Sequence, residues 1–163
     1  MNFLKLSLLS ILVVFFSFLN FLNISFLGVK PNFALAAIIA VLFFAGDIFE
    51  GLFLIALSSL ILKFSPIAGK DILVYFFVCV AMLLIKKYLP WQNFLGSIVL
   101  VSFSTLLFYA FLFSNSIASP VFFKEIAYNI IASSFVFLVL SRFKIFNAPS
   151  GKIFNINRWI LNI

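Results

Sequence analysis

The segment Gly46-Asp47-Ile48-Phe49-Glu50-Gly51 holds two of the four acidic side chains in this sequence of 163 residues. Carboxylates can serve general acid–base chemistry, and in an enzyme of this composition Asp47 or Glu50 would have to carry the reaction. The sequence contains no histidine and a single cysteine, Cys79. Proton transfer near neutral pH usually uses histidine, and metal sites usually need clusters of His, Cys or carboxylates. We therefore predict a protein that is not an enzyme and that holds no metal and no cofactor.

The same segment also fits the start of a helix. Asp47 precedes Glu50 by three residues, directly before an apolar run, which is the spacing of an N-cap and an acidic first turn. Asp47 would then accept hydrogen bonds from free backbone N–H groups, and Glu50 would complement the helix dipole. Ionisable groups at membrane depth are costly, so contact with a partner protein is the functional alternative. The two interpretations are compatible, and the sequence leaves both open.

Two further groups of polar residues lie within apolar runs. In the last run, Tyr128 and Asn129 share a helical face with Glu125. We expect Lys124 and Glu125 to lie at a membrane interface, where long side chains extend toward water. The first run has a polar face as well. Polar residues in lipid usually form hydrogen bonds with a neighbouring helix, so either internal packing or a partner helix explains this face. That face carries Ser7, Ser10, Ser17 and Asn20.

Composition decides the setting in which these residues act. Hydrophobic residues make up 66% of the sequence and charged residues 9%, far from the values of water-soluble proteins. Apolar runs of about 20 residues cross the hydrocarbon core of a membrane as helices. We therefore predict an all-α, polytopic membrane bundle of about six transmembrane helices with short loops. The predicted spans are Leu6–Leu27, Asn32–Ala45, Glu50–Phe64, Asp71–Ile85, Phe94–Phe113 and Phe122–Leu140.

The sequence divides into this bundle and a tail of different character. Residues 1–145 are predicted to form the six-helix transmembrane domain, and residues 146–163 a basic amphipathic cytoplasmic tail. In the tail, isoleucines recur at helical spacing, while Lys152 and Arg158 fall on another face. That pattern is typical of a short helix lying on anionic lipid. A frayed, weakly structured end is the alternative.

The net charge of +7 indicates how the chain crosses the membrane. With six spans, seven Lys and Arg residues lie on the side that holds both termini and four lie on the other. Because basic residues favour the cytoplasmic side, we predict that both termini are cytoplasmic. The basic residues form no continuous stripe that could follow a phosphate backbone, so nucleic acid is not an expected partner.

Three short segments resemble the MreD family of bacterial rod-shape-determining membrane proteins. Pro31-Asn32-Phe33 resembles the family's opening of the second span, and Gly46-Asp47-Ile48-Phe49-Glu50 resembles its Gly-x-x-x-Asp element. Ala127-Tyr128-Asn129-Ile130 resembles its Tyr-Asn-hydrophobic segment in the last span. The family usually has a basic connection between spans two and three, whereas this sequence is acidic there.

This resemblance implies a non-catalytic role in the cell-elongation machinery. A member of the family would bind the bitopic protein MreC and help couple the MreB cytoskeleton to peptidoglycan synthesis, and so control cell shape. The residues implied in partner binding are Asp47, Glu50, Tyr128 and Asn129. The resemblance also implies a fold similar to that of the S components of energy-coupling-factor transporters.

A substrate-binding S component of an energy-coupling-factor vitamin transporter is the alternative function. Such a subunit needs a pocket with convergent polar groups on one side of the bundle. The outward loops offer few of them, mainly Lys30, Lys63, Lys70, Asp71, Asn115 and Ser116. Tight binding of a small molecule would favour this alternative, and co-purification with a single-span coiled-coil protein would favour the first. A membrane protein that shares only hydropathy with either family is the third possibility.

Overall fold

The computed structural model describes residues 3–22, 25–64, 69–89, 94–117 and 119–143. The prediction of an all-α fold is confirmed for these residues, and the predicted tail of residues 146–163 lies outside them. Short 3₁₀ turns at Asn20–Leu22 and Ser114–Ser116 accompany six α-helices. The helices are α1 (Phe3–Leu19), α2 (Phe33–Leu42), α3 (Ile48–Lys63), α4 (Lys70–Tyr88), α5 (Phe94–Leu112) and α6 (Pro120–Arg142).

The first helix ends earlier than the predicted span, at Leu19 instead of Leu27. The Asn20 side chain explains the end, because it donates from Nδ2 to Asn32 Oδ1 (3.2 Å) and accepts at Oδ1 from the Ala34 N–H (3.4 Å). These bonds tie the end of α1 to the start of α2. The chain between them turns through Phe26–Val29, where two backbone hydrogen bonds close a tight reversal.

Helix α2 is the centre of the molecule. Every residue from Ala34 to Leu42 is buried, and the helix contacts each of the other five helices. A helix that is apolar on all sides belongs in the interior, and small residues let neighbouring backbones approach closely. The other helices surround it in the neighbour order α1, α3, α4, α5, α6. The small residues of α2 are Ala34, Ala36, Ala37 and Ala40.

Both ends of α2 are satisfied by hydrogen bonds. At its start, Asn32 is the N-cap and its side chain accepts from the Leu35 N–H (3.0 Å). At its end, the Leu42 carbonyl accepts from the Ala45 N–H (3.2 Å) and from the Lys86 ammonium of α4 (2.5 Å), which lies 5.7 Å from the centre of the Phe43 ring. Backbone groups left over at a helix end are costly when buried without partners, so these contacts fix where α2 starts and stops.

Contacts between the helices show that their directions alternate along the chain. Ser97 contacts Ser133 and Thr105 contacts Asn129, so α5 and α6 are antiparallel. Tyr75 contacts the start of α2 and Lys86 its end, so α2 and α4 are parallel. We call the two ends of the bundle the Lys86 end, which holds Lys5, Lys86, Lys87 and Arg142, and the Lys30 end, which holds Lys30, Lys63, Lys70 and Lys124.

Two of the described helices are long and apolar enough to cross a membrane, α5 and α6. Helices α1 and α2 are apolar but shorter, at 17 and 10 residues. At 1.5 Å per residue, α2 rises only about 15 Å. That rise is about half of the ~30 Å that a membrane-spanning helix crosses.

Candidate functional site

Asp47 and Glu50 form a reciprocal cap at the start of α3. The Asp47 carboxylate accepts from the Glu50 N–H (2.7 Å), and Glu50 Oε2 accepts from the Gly46 N–H (2.7 Å). Asp47 has extended backbone geometry, as N-cap residues do, and Glu50 is buried. The capping interpretation of this segment is confirmed. Both carboxylates are occupied by the chain's own backbone, and their role in partner binding stays a prediction.

A side chain larger than that of glycine would be crowded at both Gly46 and Gly51. A Cβ at Gly46 would lie 3.1 Å from Glu50 Oε2, which is in the cap itself. A Cβ at Gly51 would lie 2.7 Å from Leu83 Cδ1, which is closer than a Cβ atom normally approaches another side-chain atom. Glycine at Gly51 therefore allows α3 to pack against α4.

Replacing Asp47 with Ala is expected to lower the free energy of unfolding by about 1 kcal/mol, because α3 loses its N-cap. Asp47→Asn keeps a side-chain oxygen that can accept from the Glu50 N–H and should cost far less. Titration with dodecyl sulfate in mixed micelles measures the free energy of unfolding of both variants. Equal losses for the two variants would show that the charge of Asp47, and not its capping bond, is what matters.

Asn129 is a fully buried link between three helices. Its Oδ1 accepts from the Asn32 N–H (3.0 Å), and its Nδ2 donates to Thr105 Oγ1 (3.1 Å). Since Asn32 also binds Asn20, a continuous polar chain runs from α1 through the start of α2 to α5 and α6. Tyr128, the neighbouring predicted residue, is half-buried, and its ring centroid lies 5.9 Å from that of Phe26.

The structure does not bring the four predicted residues together. Asp47 and Glu50 follow the end of α2, whereas Asn129 binds at its start and Tyr128 lies beside Asn129. They belong to opposite ends of the bundle. The three segments that carry the family resemblance therefore flank one feature, the buried helix α2.

A second buried polar chain links the first four helices of the bundle. Ser17 Oγ and Ser58 Oγ lie 2.7 Å apart, and Ser58 Oγ lies 2.6 Å from the Tyr75 hydroxyl. The Tyr75 hydroxyl donates to the Ala34 carbonyl (3.4 Å). Internal hydrogen bonding, one of the two explanations for the polar face of the first run, is confirmed for Ser17. Ser58 and Tyr75 were missed by the sequence reasoning because isolated polar residues in an apolar run carry no spacing signal.

Glu125 lies in the interior, and the prediction that it extends toward water at an interface is wrong. Only 7% of its surface is exposed, and its Oε2 accepts a hydrogen bond from the Tyr109 hydroxyl of α5. The rings of Tyr109 and Phe122 pack beside this pair, with centroids 5.0 Å apart. The physical reason is position: Glu125 is on the face of α6 that meets α5, whereas Lys124 is on the exposed face.

A cavity of about 510 Å³ opens at the Lys30 end of the bundle, beside this pair. Its polar wall is built by helices as well as by the chain before α2, which explains why the loops alone did not predict it. Aromatic and aliphatic side chains complete the wall, among them Phe108 and Phe113. The polar residues on the wall include Asn20, Lys30, Asn32, Asp71, Tyr109 and Glu125.

The chain matches no protein-family model, no curated protein and no solved structure. Within the described ranges, no three His, Cys, Asp or Glu side chains are grouped as the ligands of a metal would be.

Proposed function

We propose that this chain is a non-catalytic, multi-pass component of the bacterial cell-elongation machinery, similar to MreD. In this role it binds an MreC-like bitopic protein and helps couple the MreB cytoskeleton to peptidoglycan synthesis. One observation carries the proposal. The three segments that resemble the family are far apart in the sequence, yet they start α2, follow its end and bind its start through Asn129. The resemblance thus falls on the residues that define the architecture.

The exposed surface supports a location in the membrane. Large apolar side chains are exposed on every helix except α2, for example Ile11, Phe53, Phe77, Phe103 and Phe135. Soluble monomers rarely expose continuous apolar patches of this extent. In lipid the exposure of these side chains carries no free-energy cost, because the lipid tails are as apolar as the side chains.

The same arrangement supports our proposal of a six-span topology. Helix directions alternate, and the short α2 is compatible with this topology because the other helices surround it and its start lines the cavity at the Lys30 end. The basic residues of the described chain collect at the two ends of the bundle. We assign the Lys86 end to the cytoplasm, because a six-span topology puts seven of the eleven Lys and Arg residues of the sequence on that side and four on the other.

The cap segment also suggests which side chain meets a partner. Since Asp47 and Glu50 direct their carboxylates to the backbone, the segment presents Phe49 instead, with 82% of its surface exposed. Aromatic residues, Phe among them, are enriched at the cores of protein interfaces. We therefore place Phe49 in the contact with the bitopic partner, at the Lys86 end.

Replacing Phe49 with Ser is expected to reduce capture of the partner at least about fivefold, in keeping with the loss of an aromatic anchor. The measurement is co-purification of the tagged full chain with the single-span coiled-coil protein of the same genome, co-expressed in one membrane. Phe64→Ser is the matched control, because Phe64 is 79% exposed at the other end of α3.

Failure of the unaltered chain to capture that partner would overturn the proposed function. Capture that Phe49→Ser and Phe64→Ser leave equally strong would retain the function and reject the assigned surface.

A further inference from the structure

We propose that the cavity at the Lys30 end is a binding site for the ammonium group of a small organic cation. This inference goes beyond the proposed function and does not rest on it, because the partner contact lies at the opposite end of the bundle. The cavity volume of about 510 Å³ falls in the usual range of sites for small molecules.

Charge on the cavity wall favours a cation. The wall carries two carboxyl groups, Asp71 and Glu125, and one ammonium group, Lys30. Asp71 and Lys30 are exposed, whereas Glu125 is buried. Water therefore screens Glu125 less than Asp71 or Lys30, so Glu125 has the largest effect on a charge held inside the cavity.

Glu125 lacks a counter-charge. Its carboxylate accepts a hydrogen bond from the Tyr109 hydroxyl, and no Lys or Arg of the described chain forms an ion pair with it. A buried carboxylate without a cation is costly, since water no longer solvates it. A cationic ligand would supply the missing charge and gain a charge-assisted hydrogen bond.

Aromatic rings around the carboxyl group suit the same ligand. Tyr109, Phe108 and Phe113 line the cavity, and the Tyr109 and Phe113 ring centroids lie 5.6 Å apart. Ring faces attract organic cations and also pack against the apolar body that such molecules carry. An inorganic ion would use the carboxylate but not the rings.

The ammonium group could belong to a free amine or to the headgroup of phosphatidylethanolamine. Both have the same chemistry, and the cavity opens at an end of the bundle, where either can reach it. The experiment below separates the two sources.

The test uses the full chain in maltoside micelles, which contain no amine, with three probes of one shape. Phenethylamine is the cation, 2-phenylethanol the neutral probe and phenylacetate the anion, and calorimetry measures their affinities. We expect the amine to bind at least about tenfold more tightly than the alcohol, because one charge-assisted hydrogen bond contributes about that much to affinity. Phenylacetate should bind most weakly of the three.

Glu125→Gln should remove this preference. Gln keeps an oxygen that can accept from the Tyr109 hydroxyl, so the alcohol should bind unchanged and report an intact cavity. Lys87→Gln, which also changes one charge but lies at the Lys86 end, should leave all three affinities unchanged.

Addition of phosphatidylethanolamine to the micelles identifies the source. If phosphatidylethanolamine weakens the apparent affinity for phenethylamine and phosphatidylglycerol does not, the site binds the lipid headgroup. An unchanged affinity assigns it to a free amine. The proposal is overturned if the amine fails to bind at millimolar concentration, if the alcohol or phenylacetate binds as tightly, or if Glu125→Gln binds the amine as the unaltered chain does.

Discussion

Replacing Asn129 with Leu is expected to lower the free energy of unfolding by about 2–4 kcal/mol. Leu has a similar volume, but it leaves the Asn32 N–H without a partner and removes the bond to Thr105 Oγ1, which keeps only its bond to the Val101 carbonyl. Each buried polar group without a partner costs about 1–3 kcal/mol. The start of α2 should loosen from α5 and α6 as a result. Titration with dodecyl sulfate in mixed micelles measures the loss.

Asn115→Leu provides the matched control for that substitution. Asn115 is exposed in the turn after α5, and the same exchange there should change stability by less than about 0.5 kcal/mol. If both exchanges had the same effect, the loss would reflect the chemistry of Leu rather than the buried link.

Truncation of Ile38 to Ala is expected to cost about 2–5 kcal/mol, the usual price of an unfilled cavity in a packed core. Ile38 lies in the middle of α2, and none of its surface is exposed. The surrounding helices contact α2 on all sides, so no single neighbour can move in to fill the space. The same titration measures the effect.

Ile131→Ala is the control, because Ile131 lies on the outer face of α6 with 64% of its surface exposed. Lipid fills the space left by an outward side chain, and the loss there should stay below about 1 kcal/mol. Comparable losses at Ile38 and Ile131 would contradict the central position of α2.

Local signals in the sequence were sufficient to predict the capped start of α3. The three-residue spacing of Asp47 and Glu50 before an apolar run specifies a helix N-terminus through bonds within a few residues. The succession of helices is similarly local, since apolar runs separated by Gly, Pro or charge define it. Only the end of α1 differed substantially, because Asn20 forms its bonds with residues of the next helix.

The central position of α2 could not be predicted in this way. In a soluble protein, hydropathy separates the core from the surface. In a chain of this composition both faces of a helix are apolar, so the buried α2 and the outward face of α6 have the same signature. The short length of α2 and its four alanines were the available clues.

The candidate cavity was hidden for a different reason. Its polar wall joins Asn20, Asp71, Tyr109 and Glu125, which come from four separate parts of the chain. No spacing rule relates residues that far apart. The sequence therefore indicated two polar faces correctly, on the first and last runs, but not the space between them.

The enclosure of α2 also has a consequence for how the chain is made. Asn32 at the start of α2 and Asn129 on α6 are separated by 97 positions, and their bond closes the group of helices around α2. During translation α2 leaves the ribosome early, long before the last helix that packs on it exists. Nascent α2 must wait for α6, so completion of the core is a late, long-range event.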